Sequence, residues 1–261
     1  MSLIELQNIS FAYNKGNGFN LSQIDLTIEE GKFISIIGPN GSGKSTLLKI
    51  ISGYLNPDEG KLRLNSKSYN KYGRKEFARE VAFVSQSSFS IFPFSVYEIV
   101  MMGRNPYLGF SGFENKSDRE KVVESLKKVG IFHLKNKGIN EISGGEAQRA
   151  FIARALVQEP RIILLDEPNA HLDIKHQIAV FGLLKDLQQS NKVTVVNVSH
   201  DLNLAASYSD KIIMLKNGDL LMYDTTDKIF TKENIKEVFE VESEITKSKI
   251  SNEISIKILP S

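Results

Sequence analysis

Near the N-terminus, eight residues have the types and spacing to hold a polyphosphate: Gly38-Pro39-Asn40-Gly41-Ser42-Gly43-Lys44-Ser45. They fit the pattern G-x-x-x-x-G-K-[ST]. A triphosphate carries several negative charges, so it needs many backbone N–H donors at short range. Glycines permit both the sharp turn and the close approach. Lys44 adds a point charge at the β- and γ-phosphates, and the Ser45 hydroxyl can take one place in a Mg²⁺ shell. The flanks suit this reading. Phe33–Ile37 is a short apolar run, as a buried parallel strand would be, and Leu47, Leu48, Ile50 and Ile51 mark a helix from about Lys44 to Gly53. By itself the pattern says only "nucleotide".

A second apolar run, Ile162-Ile163-Leu164-Leu165, closes on two acids, Asp166 and Glu167. Ligands of open parallel sheets sit at the carboxyl ends of strands. There Asp166 is placed to orient a Mg²⁺ shell, and Glu167 to polarise a water for in-line attack on the γ-phosphate. A strand entering a polar turn would look the same without the P-loop beside it. His200 follows Val193–Val198 in the same manner and could contact the γ-phosphate and hold the water–Glu167 geometry; a lone histidine there is otherwise a surface residue. His133, His171 and His176 lack metal-ligand spacing and read as structural or surface residues.

Ile142-Ser143-Gly144-Gly145-Glu146-Ala147-Gln148-Arg149 reads as a helix start, with Ser143 as N-cap and Glu146 completing a capping box. Two glycines expose the N–H groups of that helix end, which makes it an anion site. The chain carries one complete P-loop. A second phosphate-binding element is therefore expected to close over nucleotide bound to another copy.

The elements that must position these residues can be read from periodicity. Leu3–Ser10 and Leu21–Ile28 alternate like half-buried strands, and Leu62–Leu64 and Val81–Val84 are further strands. From about 89 to 160 strand signal is sparse, with amphipathic helices over Val96–Met102, Asp118–Val129 and about Glu146–Val157. This block reads as a helical subdomain set into an α/β domain. Arg161–Leu165, a helix over about Ile174–Gln189 and Val193–Val198 give a β-α-β order and a parallel sheet. Lys211–Lys216 and Asp219–Tyr223 flank Asn217-Gly218 as a hairpin. The tail beyond Thr231 is charged and mixed.

Composition sets bounds. The chain has 261 residues, 41% hydrophobic and 25% charged, with a formal charge of +2 and no cysteine. Disulfides and thiol metal sites are excluded, and no basic block calls for nucleic acid. No basic-then-apolar leader opens the chain and no run approaches the roughly 18 apolar residues of a membrane span. A soluble cytoplasmic protein is expected, one that could still sit on a membrane protein.

Over nearly the whole chain the sequence resembles the ABC ATPases. Ile142–Gln148 is similar to their signature L-S-G-G-Q-x-Q, Gly38–Thr46 to their Walker A segment and Ile162–Glu167 to Walker B. The resemblance implies an α/β P-loop fold with a mainly parallel core, an antiparallel β subdomain on the N-terminal side and the helical insertion. It implies an ATPase domain over 1–240 and a short C-terminal extension over 241–261. Gln86 looks like the Q-loop glutamine that touches Mg²⁺ and senses the transporter, Leu172-Asp173 fits the D-loop, and His200 the switch histidine. Tyr13 sits where the family places an aromatic ring under adenine, although Phe11 or Tyr13 could equally be core in a strand. Departures are small: Ile142 for Leu, Glu146 for Gln, and Asn169-Ala170-His171 for the usual Thr-Ser-x.

The same resemblance implies a homodimer around two Mg-ATP. Each nucleotide would be held by Lys44 and its loop in one subunit and by Ser143, Gly144, Gly145, Glu146 and Asp173 of the other. Glu167, His200, Gln86 and Lys44 are the expected catalytic set, and Ser45, Gln86 and Asp166 the expected Mg²⁺ contacts. Gly103–Leu108, Leu172–Gln177 and Val238–Val241 resemble subunits that power uptake of iron chelates, haem and cobalamin; molybdate and tungstate importers share much of this. A permease, an extracytoplasmic substrate-binding protein and a place on the cytoplasmic face of the membrane are implied. Non-transport ABC ATPases are a more distant alternative. The run Phe89–Phe94 is either the permease contact or core.

Overall fold

The computed structural model describes residues 2–13, 20–86, 92–109, 112–170, 172–248 and 254–259. The chain begins with β1 (Ser2–Ala12), β2 (Asn20–Glu29) and β3 (Phe33–Ile37), then α1 (Lys44–Ile51). Next come β4 (Glu59–Leu64), β5 (Lys67–Ser68), α2 (Arg74–Glu80) and β6 (Val81–Val84). Three helices follow, α3 (Val96–Met101), α4 (Lys116–Lys128) and α5 (Gly144–Leu156). The α/β pattern resumes with β7 (Ile162–Asp166), α6 (Ile174–Asn191), β8 (Thr194–Val198) and α7 (Leu202–Tyr208). It closes with β9 (Lys211–Lys216), β10 (Asp219–Asp224), α8 (Thr226–Ile229), α9 (Lys232–Phe239), β11 (Ser243–Lys247) and β12 (Ile254–Ile258).

Among the described residues three sheets result. The N-terminal sheet is antiparallel with order β2-β1-β4-β5. The central sheet has order β10-β9-β3-β8-β7-β6, parallel except for β10 at its edge. β3, β7 and β8 bury every residue, which is why they read as continuous apolar runs: the sheet is covered on both faces. The alternation of β2 instead buries one face, through Leu21, Ile24, Leu26 and Ile28. That face packs with α1 and the central sheet in a shared core.

The insertion between β6 and β7 is helical, as its pattern predicts. Its helices start on side-chain caps: Ser95 with Glu98, Asn115 with Asp118, and Ser143 with Glu146. A buried cation ties it together. Arg104 donates from Nε to Asp118 Oδ1 at 2.9 Å, and from Nη1 to Val157 O at 2.8 Å and Glu159 Oε2 at 2.9 Å. Its guanidinium lies 3.7 Å from the centroid of the Tyr107 ring. Such a planar fork bonds several acceptors at once, so one side chain joins the start of α4 to the end of α5.

The described residues of the tail fold into a core, which its mixed composition does not suggest. Ile235 and Val238 of α9 and Ile254 and Ile256 of β12 enter one core with Ile37, Ile212 and Met214. Among the described residues, no helix is long and apolar enough to cross a membrane. Of the run Phe89–Phe94, residues 89–91 lie outside the described residues. Phe92 is 64% exposed, whereas Phe94 packs against the core of the insertion. Phe94 thus follows the core expectation and Phe92 does not.

Candidate nucleotide site

Four neighbouring parallel strands deliver the polar groups to one end of the sheet. The P-loop follows β3, Gln86 follows β6, Asp166 and Glu167 close β7, and His200 follows β8. Parallel strands place all their carboxyl ends on one side, so residues more than a hundred positions apart converge.

The loop after β3 is set by sterics at its first residue. Gly38 has φ of 153°, and a Cβ there would lie 2.2 Å from Leu215 O and 2.7 Å from Ser42 Oγ. Only glycine lets the loop leave the strand so close to β9. Lys44 starts α1 with its ammonium turned back into the loop, donating to Gly38 O at 2.9 Å and Pro39 O at 2.8 Å. Burial pulls the Lys44 ammonium below its ordinary value, against the opposing pull of Glu167 and Asp166. Ser45 Oγ donates to Asp166 Oδ1 at 2.7 Å. Burial pushes the Asp166 carboxyl up; the Ser45 bond opposes this and nearby Glu167 adds to it.

Glu167 is the junction of the site. Gln86 Nε2 donates to its Oε2 at 2.7 Å, and His200 Nε2 contacts its Oε1. Its backbone sits at φ of 50°, in the left-handed region that a non-glycine residue seldom occupies. Such a conformation costs of order 1–3 kcal/mol and persists where neighbours over-determine it. Here both carboxylate oxygens are already claimed by side chains from the two flanking strands.

A cleft of about 270 Å³ is walled by Tyr13, Asn40, Gly41, Gly43, Lys44, Ser45, Thr46, Glu167 and His200. Tyr13 is 53% exposed at its mouth, with its hydroxyl 3.4 Å from Thr46 Oγ1. Phe11 is the ring that packs against the core, edge-on to Tyr13. Of the two aromatics the sequence left open, Tyr13 is therefore the one available to a ligand.

Ser143, Gly144, Gly145, Glu146 and Asp173 form a separate group that does not line this cleft. Glu146 Oε2 accepts from Ser143 N at 2.8 Å and from Ser143 Oγ at 2.7 Å, the bonds that hold its carboxyl below the ordinary glutamate value. Gly144 is exposed, but Gly145 is buried: a Cβ on it would lie 2.5 Å from His176 Cδ2. Asp173 caps α6, its Oδ1 accepting from His176 N at 2.9 Å and bonding His176 Nδ1 at 2.7 Å. Sequence reasoning gave His176 no part in this group; its signal was the spacing Asp173-x-x-His176, a helix cap one turn from a ring. His171 lies outside the described residues.

A family model described as ABC transporter matches residues 21–170, over half of the chain. The chain belongs to the ABC transporter family, as an ATP-binding subunit. This ABC ATPase couples ATP hydrolysis to transport. It is 33% identical to the iron(3+)-hydroxamate import ATP-binding protein FhuC of Bacillus subtilis, over 97% of this chain and 93% of that protein. It is 37% identical to the hemin import ATP-binding protein HmuV of Rhodopseudomonas palustris, over 88% and 86%. To the manganese transport system ATP-binding protein MntA of Synechocystis it is 36% identical, over 90% and 89%. Among solved structures, it superposes with a TM-score of 0.87 on a metal-chelate type ABC transporter in an inward-facing conformation, at 29% identity over 100% of this chain and 98% of that one. A dimeric bacterial ABC transporter cassette matches with a TM-score of 0.75 at 34% identity, over 86% and 99%. The fold of this ABC ATPase is the expected one: mainly parallel core, antiparallel N-terminal sheet, helical insertion.

Proposed function

We propose that this ABC ATPase powers import of a metal chelate of the iron-siderophore, haem or cobalamin type, working as a homodimer on Mg-ATP. The observation that carries the catalytic reading is the Glu167 carboxylate held by Gln86 and His200 at the mouth of the P-loop cleft. In that reading Tyr13 stacks on adenine, and the N–H groups of Gly38–Thr46 with Lys44 hold the phosphates. The residues fit a Mg²⁺ ion: Ser45 Oγ and Asp166 Oδ1 are hard oxygen donors in contact, and the Gln86 carboxamide is bonded to Glu167, the residue next to Asp166. Among the described residues no group of three acidic or histidine side chains could hold a metal alone, which suits an ion whose shell is shared with substrate phosphates. When bound, it neutralises charge on the β- and γ-phosphates.

Glu167 takes the proton of the water that attacks the γ-phosphate, and the bond from the γ-phosphorus to the β-phosphate oxygen breaks with ADP as leaving group. His200 keeps the Glu167 carboxylate oriented and Lys44 holds the β- and γ-phosphates. Ser143, Gly144, Gly145, Glu146 and Asp173 of a second copy complete the pocket, because a capped helix end stabilises developing anionic charge. Residues 1–240 form the ATPase domain and 241–261 its extension. This subunit sits peripherally on the cytoplasmic face of the membrane, an integral-membrane permease reads the opening and closing, and an extracytoplasmic binding protein delivers the cargo. No nucleic acid takes part. The names of the siderophore and hemin relatives support the cargo class. The manganese relative favours a bare metal ion as the second reading.

Glu167→Gln tests the catalytic assignment. Turnover measured by phosphate release should fall by about 10²–10⁴-fold, with ATP binding retained and a stable dimer formed; normal turnover refutes the general-base role. Cargo is tested by co-purifying the permease from native membranes and measuring uptake of labelled siderophore against Mn²⁺.

A further inference from the structure

A second cavity, of about 520 Å³, shares Glu167 and His200 with the nucleotide cleft but is otherwise built from different parts of the chain. Asn169, Asp201 and Asn203 supply one side, and Ile256 and Ile258 of the C-terminal hairpin supply the other. The strand β12 therefore stands beside the proposed catalytic pair, far in sequence from the nucleotide-binding motifs.

The connection between them is specific. Asn203 Nδ2 donates to Ile256 O at 3.1 Å, and Ile256 N donates to Asn203 Oδ1 at 2.8 Å. In an antiparallel pair, alternate residues turn both N–H and C=O to the same side. Ile256 lies opposite Ile245 of β11, and it turns both groups outward to Asn203. The carboxamide thus stands in for a neighbouring strand at the free edge of β12. Asn203 is three residues after His200, and the turn between them is braced. Asp201 Oδ1 accepts from Asn203 N at 2.8 Å and Leu204 N at 3.0 Å, and Ser199 Oγ donates to Asp201 O at 3.0 Å. Ile254 and Ile256 anchor the hairpin in the core that also holds Ile37, at the end of the strand leading to the P-loop.

We propose that the C-terminal hairpin is a positioning element for hydrolysis: by gripping Asn203 it fixes the turn that presents His200 to Glu167. Asn203 is then a positioning residue that acts through His200. This rests on the catalytic reading of Glu167 and His200 given above. A hairpin that only covered core would need neither a paired carboxamide nor a place in a cavity shared with those two residues.

The test compares Asn203→Ala, His200→Ala and the double variant in the full-length protein, by steady-state ATPase rates and ATP binding. Two lost hydrogen bonds to one backbone residue predict a fall in kcat of roughly fivefold to tenfold, with KM and Kd for ATP within about twofold. Because Asn203 acts through His200, Asn203→Ala should cause no further loss in the His200→Ala background. An unchanged kcat in Asn203→Ala, or losses that multiply fully in the double variant, overturns the proposal. Should Asn203→Ala fail to fold, Asn203→Asp keeps the acceptor for Ile256 N–H and replaces the donor to Ile256 O with a carboxylate oxygen. It should also show a drop in kcat at unchanged KM, and wild-type kcat there overturns the proposal equally. Normal turnover in His200→Ala would instead sink the catalytic reading, whatever Asn203 does.

Discussion

Adding one methyl group to each of two adjacent glycines should give opposite results. Gly144 and Gly145 open α5, so alanine at either site gains up to about 1 kcal/mol of helix propensity. At Gly144 the new Cβ meets Leu172 Cδ2 at 3.6 Å, an ordinary contact. At Gly145 it would lie 2.5 Å from His176 Cδ2, 2.9 Å from Cγ and 3.2 Å from Cβ. The near end of that ring cannot swing away without breaking its 2.7 Å bond to Asp173. Overpacking of this kind costs about 1–3 kcal/mol. Propensity cancels between the two variants, so Gly145→Ala should melt roughly 2–12 °C below Gly144→Ala, at about 2–4 °C per kcal/mol for a chain near this size. Thermal unfolding followed by circular dichroism reads the difference. Repeating the pair in a His176→Ala background should remove most of it, since residues in contact couple by about 0.5–3 kcal/mol. Two glycine variants that melt together, or a gap that survives loss of the ring, would refute the packing argument.

Ser143→Arg should spare nucleotide binding by the monomer and block ATP-driven dimerisation, as light scattering or gel filtration would show. Arg104→Ala leaves Asp118 buried without its cation; the pair is 4% and 3% exposed. Breaking it should cost about 3–5 kcal/mol, a fall of roughly 6–20 °C in melting temperature. Acid titration tests the same pair. Burial alone would raise the Asp118 carboxyl, but the Asn115 N–H and the Arg104 guanidinium hold it below the ordinary aspartate value. A depressed folded pKa gives stability that is complete above about pH 4 and lost as pH falls through the folded value. Asp118→Asn should therefore show a shallower loss of stability below pH 4 in urea unfolding.

The P-loop and the capped start of α5 were legible because each is local: a run of eight residues or a four-residue cap carries its own geometry. The convergence of Glu167 and His200 spans 33 positions, yet it too was legible, since parallel strands must present their carboxyl ends together; Gln86 came only through the resemblance to ABC ATPases. Packing between elements was not legible. Nothing adjacent in sequence tells that Gly145 is filled by the His176 ring, or that Tyr13 faces the cleft while Phe11 faces the core. The tail was missed although Ile254-Ser255-Ile256-Lys257-Ile258 alternates as a strand should. Its buried isoleucines pack on α7 and share a core with residues of β9, all further back in the chain, so the charges around it dominated the pattern.

The clasp of Lys44 on Gly38 O and Pro39 O changes what nucleotide affinity measures. An ammonium already held by two carbonyl oxygens must give up or share those bonds when an anion arrives, so binding is an exchange and not a simple gain. A small monovalent anion offers too little in return for that exchange. On the proposed reading of the site, a polyphosphate that also engages the loop's N–H groups would offer enough, so that the loop would select by charge density before any base is read.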